Sequence, residues 1–252
     1  MSLPTEIYSV ASVREIDRAA IDAGNISGYT LMTRAGQFAF AVVRQKYPDA
    51  TRWQVVCGSG NNGGDGYVIA RLAMDAGISV SVVALTPVED LQGDAATAAM
   101  DFAAAGGAVV EFTGSLDSSA DLLIDALLGT GLTRDVTGAY KDVIEAMNLH
   151  VARVIAMDVP SGLNADTGQV MGCAVRAIDT ATFVGQTPGL TVGDAAAYVG
   201  DVCFSDLDIP HAIRSREMPV MRRIDSDLLS QYLPPRSRTS HKGDFGHVLV
   251  VG

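Results

Sequence analysis

The stretch Val55–Leu72, "VVCGSGNNGGDGYVIARL", sets Gly58, Gly60 and Gly63 at G-x-G-x-x-G spacing between an apolar run and an amphipathic one. Backbone N–H groups in such a turn, with the positive end of the helix that follows, favour a phosphate. The same glycines also suit a tight turn that needs them for geometry alone. A site for a redox dinucleotide carries an acid near the end of its second strand for the ribose. Here that strand ends "VVALTP", with no acid before Glu89. Asn61, Asn62 and Asp65 add two carboxamides and a carboxylate that turn geometry does not require.

Three more oxygen-bearing side chains fall at the expected C-terminal ends of apolar runs: Asp125 in "IDALLGTGLTRD", Asp158 in "MDVPSG" and Ser161 just beyond it. In an open parallel sheet the ligand crevice lies outside those ends. Asn62, Asp125 and Ser161 together offer carboxamide, carboxylate and hydroxyl oxygens with no His or Cys, a donor set for a hard cation rather than zinc or copper. Taken singly, each also fits a cap or a turn.

Alternating elements must position these groups. A helix is expected over 12–24, opened by a Ser12/Glu15 capping box and stopped by Gly24, and a second over 31–47. Strands are expected at 53–58, 78–85, 108–112, 121–129, 153–162, 180–185 and 200–207, and helices at 64–77, 93–106 and 140–150. Such alternation implies right-handed crossovers and a mostly parallel sheet covered on both faces. The expected class is α/β: a Rossmann-like three-layer sandwich with two N-terminal helices. From His211 onward the chain is basic, proline-punctuated and non-periodic, which reads as a linker, giving a main domain over 1–214 and a separate segment over 215–252.

The composition narrows the class. With 252 residues, 48% of them hydrophobic, one large core is available. A net charge of −11 weighs against nucleic-acid binding. Cys57, Cys173 and Cys203 are far apart and without CxxC spacing, as in a reducing compartment. The first twenty residues carry Glu6, Arg14, Glu15, Asp17 and Arg18, and no apolar run reaches membrane-spanning length. A soluble cytoplasmic protein is expected.

The segments "GSGNNGGDG", "DALLGTGLTRDVTGAY" and "AMDVPSGLNADTG" closely resemble the motifs of the NAD(P)H-hydrate epimerase family, and "REIDRAAI…GYTLMTRAG" is similar to its opening helices. The resemblance runs over about 1–210, with Thr33 standing where the family usually has an acid. It implies that the glycine loop binds a damaged dinucleotide as substrate: NADH or NADPH that has gained water at C6 of the nicotinamide. The family interconverts the R and S epimers, so that a dehydratase specific for S can restore the coenzyme. Carried onto this chain, the implied substrate-binding residues are Asn61, Asn62, Gly63, Gly64 and Asp65; Gly129, Thr130, Gly131, Leu132, Thr133, Arg134 and Asp135; and Asp158, with Tyr140 as a further candidate. The resemblance also implies one potassium ion at Asn62, Asp125 and Ser161, completed by backbone carbonyls, and a homodimer.

The tail "RSRTSHKGDFGHVLVVG" resembles, through Lys242, Gly243 and Gly246, the opening strand of the ADP- or ATP-dependent hydrate dehydratase that follows the epimerase in bifunctional proteins. A lone strand cannot bury itself. The chain is therefore expected to epimerise hydrates without dehydrating them, to be followed by a dehydratase domain beyond residue 252, and to keep its fold without the residues from about 215.

Inversion at C6 proceeds by loss and re-addition of hydroxide through an iminium, or by ring opening and closing. Either route needs a group that gives and takes a proton. Asp158 is the candidate, the alternative being that it only holds a ribose hydroxyl. His150, His211, His241 and His247 fall outside the motifs. Two other readings are a catalytically silent interaction scaffold, which has no need of Asn62, Asp125, Asp158 and Ser161 together, and an NAD-dependent oxidoreductase, which the missing ribose acid disfavours.

Overall fold

A computed structural model of the chain describes residues 3–24, 26–233, 238–245 and 249–250. Its main sheet has seven strands: β2 (Arg52–Cys57), β3 (Ser79–Ala84), β4 (Ala108–Glu111), β5 (Leu122–Ala126), β6 (Arg153–Met157), β7 (Asp179–Phe183) and β8 (Asp201–Ser205). They lie in the order β4-β3-β2-β5-β6-β7-β8, every neighbouring pair parallel. A short β1 (Glu6–Ile7) precedes the helices α1 (Val10–Gly24) and α2 (Gly28–Lys46). The crossovers carry α3 (Asn61–Asp75), α4 (Gly93–Ala104) and α5 (Gly138–Leu149).

The chain leaves β2 for β3 on one side and returns to β5 on the other. The strand order therefore reverses between β2 and β5, where an open sheet leaves a crevice. Strand residues alternate between two cores. Val55, Val82 and Ile124 pack on one face with residues of α1, α2, α3 and α4, whereas Val56, Val83 and Leu123 pack on the other with Val143, Ile144 and Met147 of α5. Each large apolar side chain buried this way contributes about 1.5–3 kcal/mol. The expected three-layer α/β sandwich is thus the observed one. Among the described residues, no helix is long and apolar enough to cross a membrane.

Several local expectations are corrected. Helix α1 opens at Val10, ahead of Ser12, and Ser9 Oγ accepts the Ser12 N–H at 3.1 Å. Val10 is buried against Val159 and Leu163, and its N–H donates to Asp166 Oδ1 at 2.9 Å. That anchoring extends the helix past the Ser12/Glu15 box, so Glu15 pairs with Arg18 instead. Helix α3 starts at Asn61 rather than Gly64, which puts the glycine loop into its first turn. Thr33 lies within α2, where its hydroxyl donates to the Tyr29 carbonyl at 2.8 Å.

The segment expected to be linker is partly docked. Helix α6 (His211–Arg214) buries Ile213 in the main core. Strand β9 (Met221–Arg222) then pairs antiparallel with β1, Ile7 opposite Met221. Beyond it, α7 (Ser226–Tyr232) buries no residue. The strand expected at 247–252 lies outside the described residues apart from Leu249 and Val250.

Candidate active site

A cavity of about 780 Å³ opens at the C-terminal ends of β2, β5 and β6. Asn61, Asn62 and Asp65, the run Gly129–Arg134, and Asp158 all line it. Gly63, Gly64, Asp135 and Tyr140 do not: Asp135 is exposed, and Tyr140 packs against the α5-side core. Asp125 and Ser161 lie fully buried.

The loop glycines divide into two kinds. A methyl group on Gly58 would fall 2.0 Å from the Leu127 carbonyl oxygen, and one on Gly63 would fall 2.1 Å from that of Gly58. These two glycines let three backbone segments close on one another. Nothing lies within 4 Å of a methyl group on Gly60, which borders the cavity. Packing thus explains Gly58 and Gly63, while Gly60 keeps space open in front of α3. The first N–H groups of a helix lack partners within it and favour an anion there.

Under the loop, Asp125 is pinned at the end of β5. Its Oδ1 accepts the Ser161 hydroxyl at 2.6 Å and the Leu127 N–H at 3.3 Å, and its Oδ2 accepts the Ser161 N–H at 2.8 Å. Burial pushes its carboxyl up to about 6, against the pull of these donors. Asn62 is 8% exposed, and neither its carbonyl oxygen nor its amide nitrogen has a partner among the described residues. Buried polar groups are nearly always satisfied. A buried carboxylate, a hydroxyl and an orphaned carboxamide fit a hard cation or a polar ligand atom.

Six ionisable side chains line the cavity: Arg14 and Asp17 of α1, Asp65 of α3, Asp94 of α4, Arg134, and Asp158 beyond β6. The Asp158 Oδ2 accepts the Thr130 N–H at 3.1 Å. Burial raises the Asp158 carboxyl, while Thr130 and Arg14 act to lower it. Burial, then the charge of Asp158, lifts Asp17 to about 7. Burial, followed by Asp158 and Asp17, holds Asp65 well above the usual carboxylate range. Perturbed carboxyl groups clustered in a cleft are candidates for acid–base chemistry.

Asp17 and Arg14 were missed by reasoning from motifs. Their available signal was the i, i+3 spacing, which puts both on one helix face beside the buried Val13 and Ile16. Backbone strain also gathers here. Of the four non-glycine residues with positive φ among those described, Asp158 (65°), Val184 (64°) and Leu207 (54°) line the cavity. Such conformations persist where the surrounding structure over-determines them, and they cluster at ligand sites.

A parallel sheet with a polar cavity at its switch point defines a Rossmann-like ligand-binding domain. The model for the YjeF-related protein N-terminus matches residues 28–189, and the chain belongs to that family. It is 40% identical over 252 residues to the bifunctional NAD(P)H-hydrate repair enzyme Nnr of Escherichia coli (strain K12), covering 100% of this chain and 49% of that protein. It is 38% identical over 204 residues to the NAD(P)H-hydrate epimerase of Rhodopirellula baltica, covering 79% of this chain and 82% of that protein. The chain spans about half the length of the bifunctional relatives it matches. The crystal structure of yeast ynu0, YNL200c, superposes with a TM-score of 0.72 at 18% identity, over 85% of this chain and 95% of that one, a likeness of fold.

Proposed function

We propose that this domain interconverts the R and S epimers of hydrated NADH and NADPH at C6 of the nicotinamide ring. The observation that carries this reading is the carboxylate of Asp158, held by the Thr130 N–H in a polar cavity beside the start of α3. The similarity to the R. baltica epimerase, over most of both chains, supports it. The first turn of α3, with Gly60 and Asn61, receives the pyrophosphate. The Gly129–Arg134 loop and Asp65 hold the rest of the dinucleotide, and Asp158 exchanges a proton at the C6 hydroxyl.

A potassium ion held by Asn62, Asp125 and Ser161 would supply positive charge beneath the phosphate loop; the orphaned carboxamide of Asn62 favours such an occupant. In the full-length protein a dehydratase domain takes over the S epimer, the subunits pair as homodimers, and the enzyme works in the cytoplasm. The direct test is incubation with purified R-hydrate and chromatographic separation of the epimers. Equilibration no faster than the spontaneous rate rules the reading out.

A further inference from the structure

Inversion by the iminium route sets a demand for proton transfer on both faces of the ring, which two carboxyl groups meet. The hydroxyl leaves C6 from one face of the ring, and the replacing oxygen arrives at the other. A proton must be given on the first face and taken on the second. The cavity offers carboxyl groups from separate elements: Asp158 from the end of β6, Asp65 from α3 and Asp17 from α1. The site is built for a ligand on independent grounds, since Asn62 also lines it, 8% exposed, with both amide atoms unpartnered among the described residues.

We propose that Asp17 is the second acid–base group of this site, acting together with Asp158 on the same bound ring; this rests on the epimerase reading. Asp158 accepts the Thr130 N–H and has Arg14 nearby, both acting against the rise that burial imposes, so it takes the base role of the pair. No donor reaches the Asp17 carboxyl among the described residues, and its neighbour in charge is Asp158 itself. That environment keeps the proton on Asp17 up to about pH 7. Burial holds the carboxyl of Asp65 of α3 well above the usual carboxylate range beside them, while Asp94 and Arg134 complete the ionisable groups of the cavity wall.

The step then balances. The Asp17 acid gives its proton to the C6 hydroxyl as the C6–O bond breaks. The lone pair of the ring nitrogen forms the N–C6 double bond, and water departs. A water adds to the opposite face, the electron pair returns to nitrogen, and the surplus proton goes to the Asp158 carboxylate. The reverse epimerisation uses the same two groups with their roles exchanged, and the proton otherwise returns from Asp158 to Asp17 through solvent.

The test uses purified R-hydrate with the wild-type chain, Asp17→Asn and Asp17→Glu, each followed from pH 5 to 9. Asp17→Asn should lower kcat by about a hundredfold or more, with KM changed by no more than about threefold. The fall in kcat/KM above about pH 7, where Asp17 loses its proton, should vanish from the residual activity. Asp17→Glu should recover part of the rate, which a role in packing alone would not give. Wild-type chain that leaves the R-hydrate unconverted overturns the epimerase reading and this inference with it. Wild-type chain that epimerises alongside an Asp17→Asn variant of unchanged kcat, or one altered only in KM with the same pH profile, overturns this inference alone.

Discussion

The carboxylate of Asp158 accepts the backbone N–H of Thr130 at 3.1 Å, tying the end of β6 to the loop that follows β5. The backbone of Asp158 is itself in the left-handed region, φ 65°, with its N–H donated to the Ala181 carbonyl of β7 at 2.7 Å. The end of β6, the loop after β5 and the middle of β7 thereby set the direction of one carboxyl group.

Asp158→Asn tests the proton-transfer role without disturbing that geometry. Asparagine tolerates positive φ, and its carbonyl can still accept from Thr130. Epimerisation should fall about a hundredfold or more while the melting temperature changes little. A wild-type rate would leave Asp158 as a ribose ligand. Asp158→Ala should in addition lose stability, because left-handed backbone costs an ordinary residue about 1–2 kcal/mol.

The pH dependence of stability follows from Asp17. Its folded-state value, about 7, lies above the ordinary carboxylate value of 3.8. Between those values the native state binds more protons than the unfolded one, so this group's contribution to stability falls as pH rises from about 4 to 7 and is flat above. Asp17→Asn removes the ionisation. Its melting temperature at pH 8 should exceed that of the wild type by roughly 2–4 °C, the scale of ~1 kcal/mol in a chain of this size. At pH 4 the two should agree. A variant less stable than wild type at pH 8 would mean that the charge of Asp17 has a stabilising partner.

The loop glycines should separate packing from binding. Gly58→Ala and Gly63→Ala drive a methyl into backbone carbonyls and should each cost about 1–3 kcal/mol or more, read by chemical denaturation. Gly60→Ala meets nothing within 4 Å, so its unfolding midpoint should stay near wild type while affinity for the hydrate weakens. Equal destabilisation by all three would show that the loop is only a turn.

Replacing choline by potassium at constant ionic strength should raise the melting temperature, since a ligand of the native state stabilises by mass action. Asn62→Ala breaks no hydrogen bond of the described residues, so it should fold well and yet lose the potassium response. A potassium shift that survives in Asn62→Ala would place the ion elsewhere.

The docked C-terminal segment gives the expected truncation at about 215 a direct test. Val220 N–H donates to the Ile7 carbonyl at 2.9 Å, and Arg223 N–H to that of Thr5 at 2.7 Å. Chain ending at 223 should melt close to the full chain. Chain ending at 214 should melt several degrees lower, because β1 loses its partner just ahead of the helix that carries Arg14 and Asp17 (a lost kcal/mol is roughly 2–4 °C here). Equal melting of the two would support the boundary at 214.

The motif residues were legible in the chain because they are local. Val55 to Asp65, Asp125 and Asp158 each sit where an apolar run meets a glycine or proline turn, and the parallel-sheet rule sends those ends to one edge. The α/β class followed from the same alternation. Gly58 and Gly63 could be placed in a loop but not assigned to packing, since their contacts are with Leu127 and with each other's turn.

What the tertiary structure alone decided involves partners distant in sequence. Helix α1 begins at Val10 because Asp166 caps it from 156 residues away, outweighing a local capping box. Asp17 joins the cavity only because α1 packs over the ends of strands whose residues lie far along the chain. Strands β1 and β9 are two residues each, too short to show any periodicity, so their pairing could not be read before the ends of the chain met. Local pattern determined which segments become strands and helices, through burial and turn chemistry. The arrival of Asp17 at the cavity and the pairing of β1 with β9 were decided by long-range packing, which no window of sequence contains.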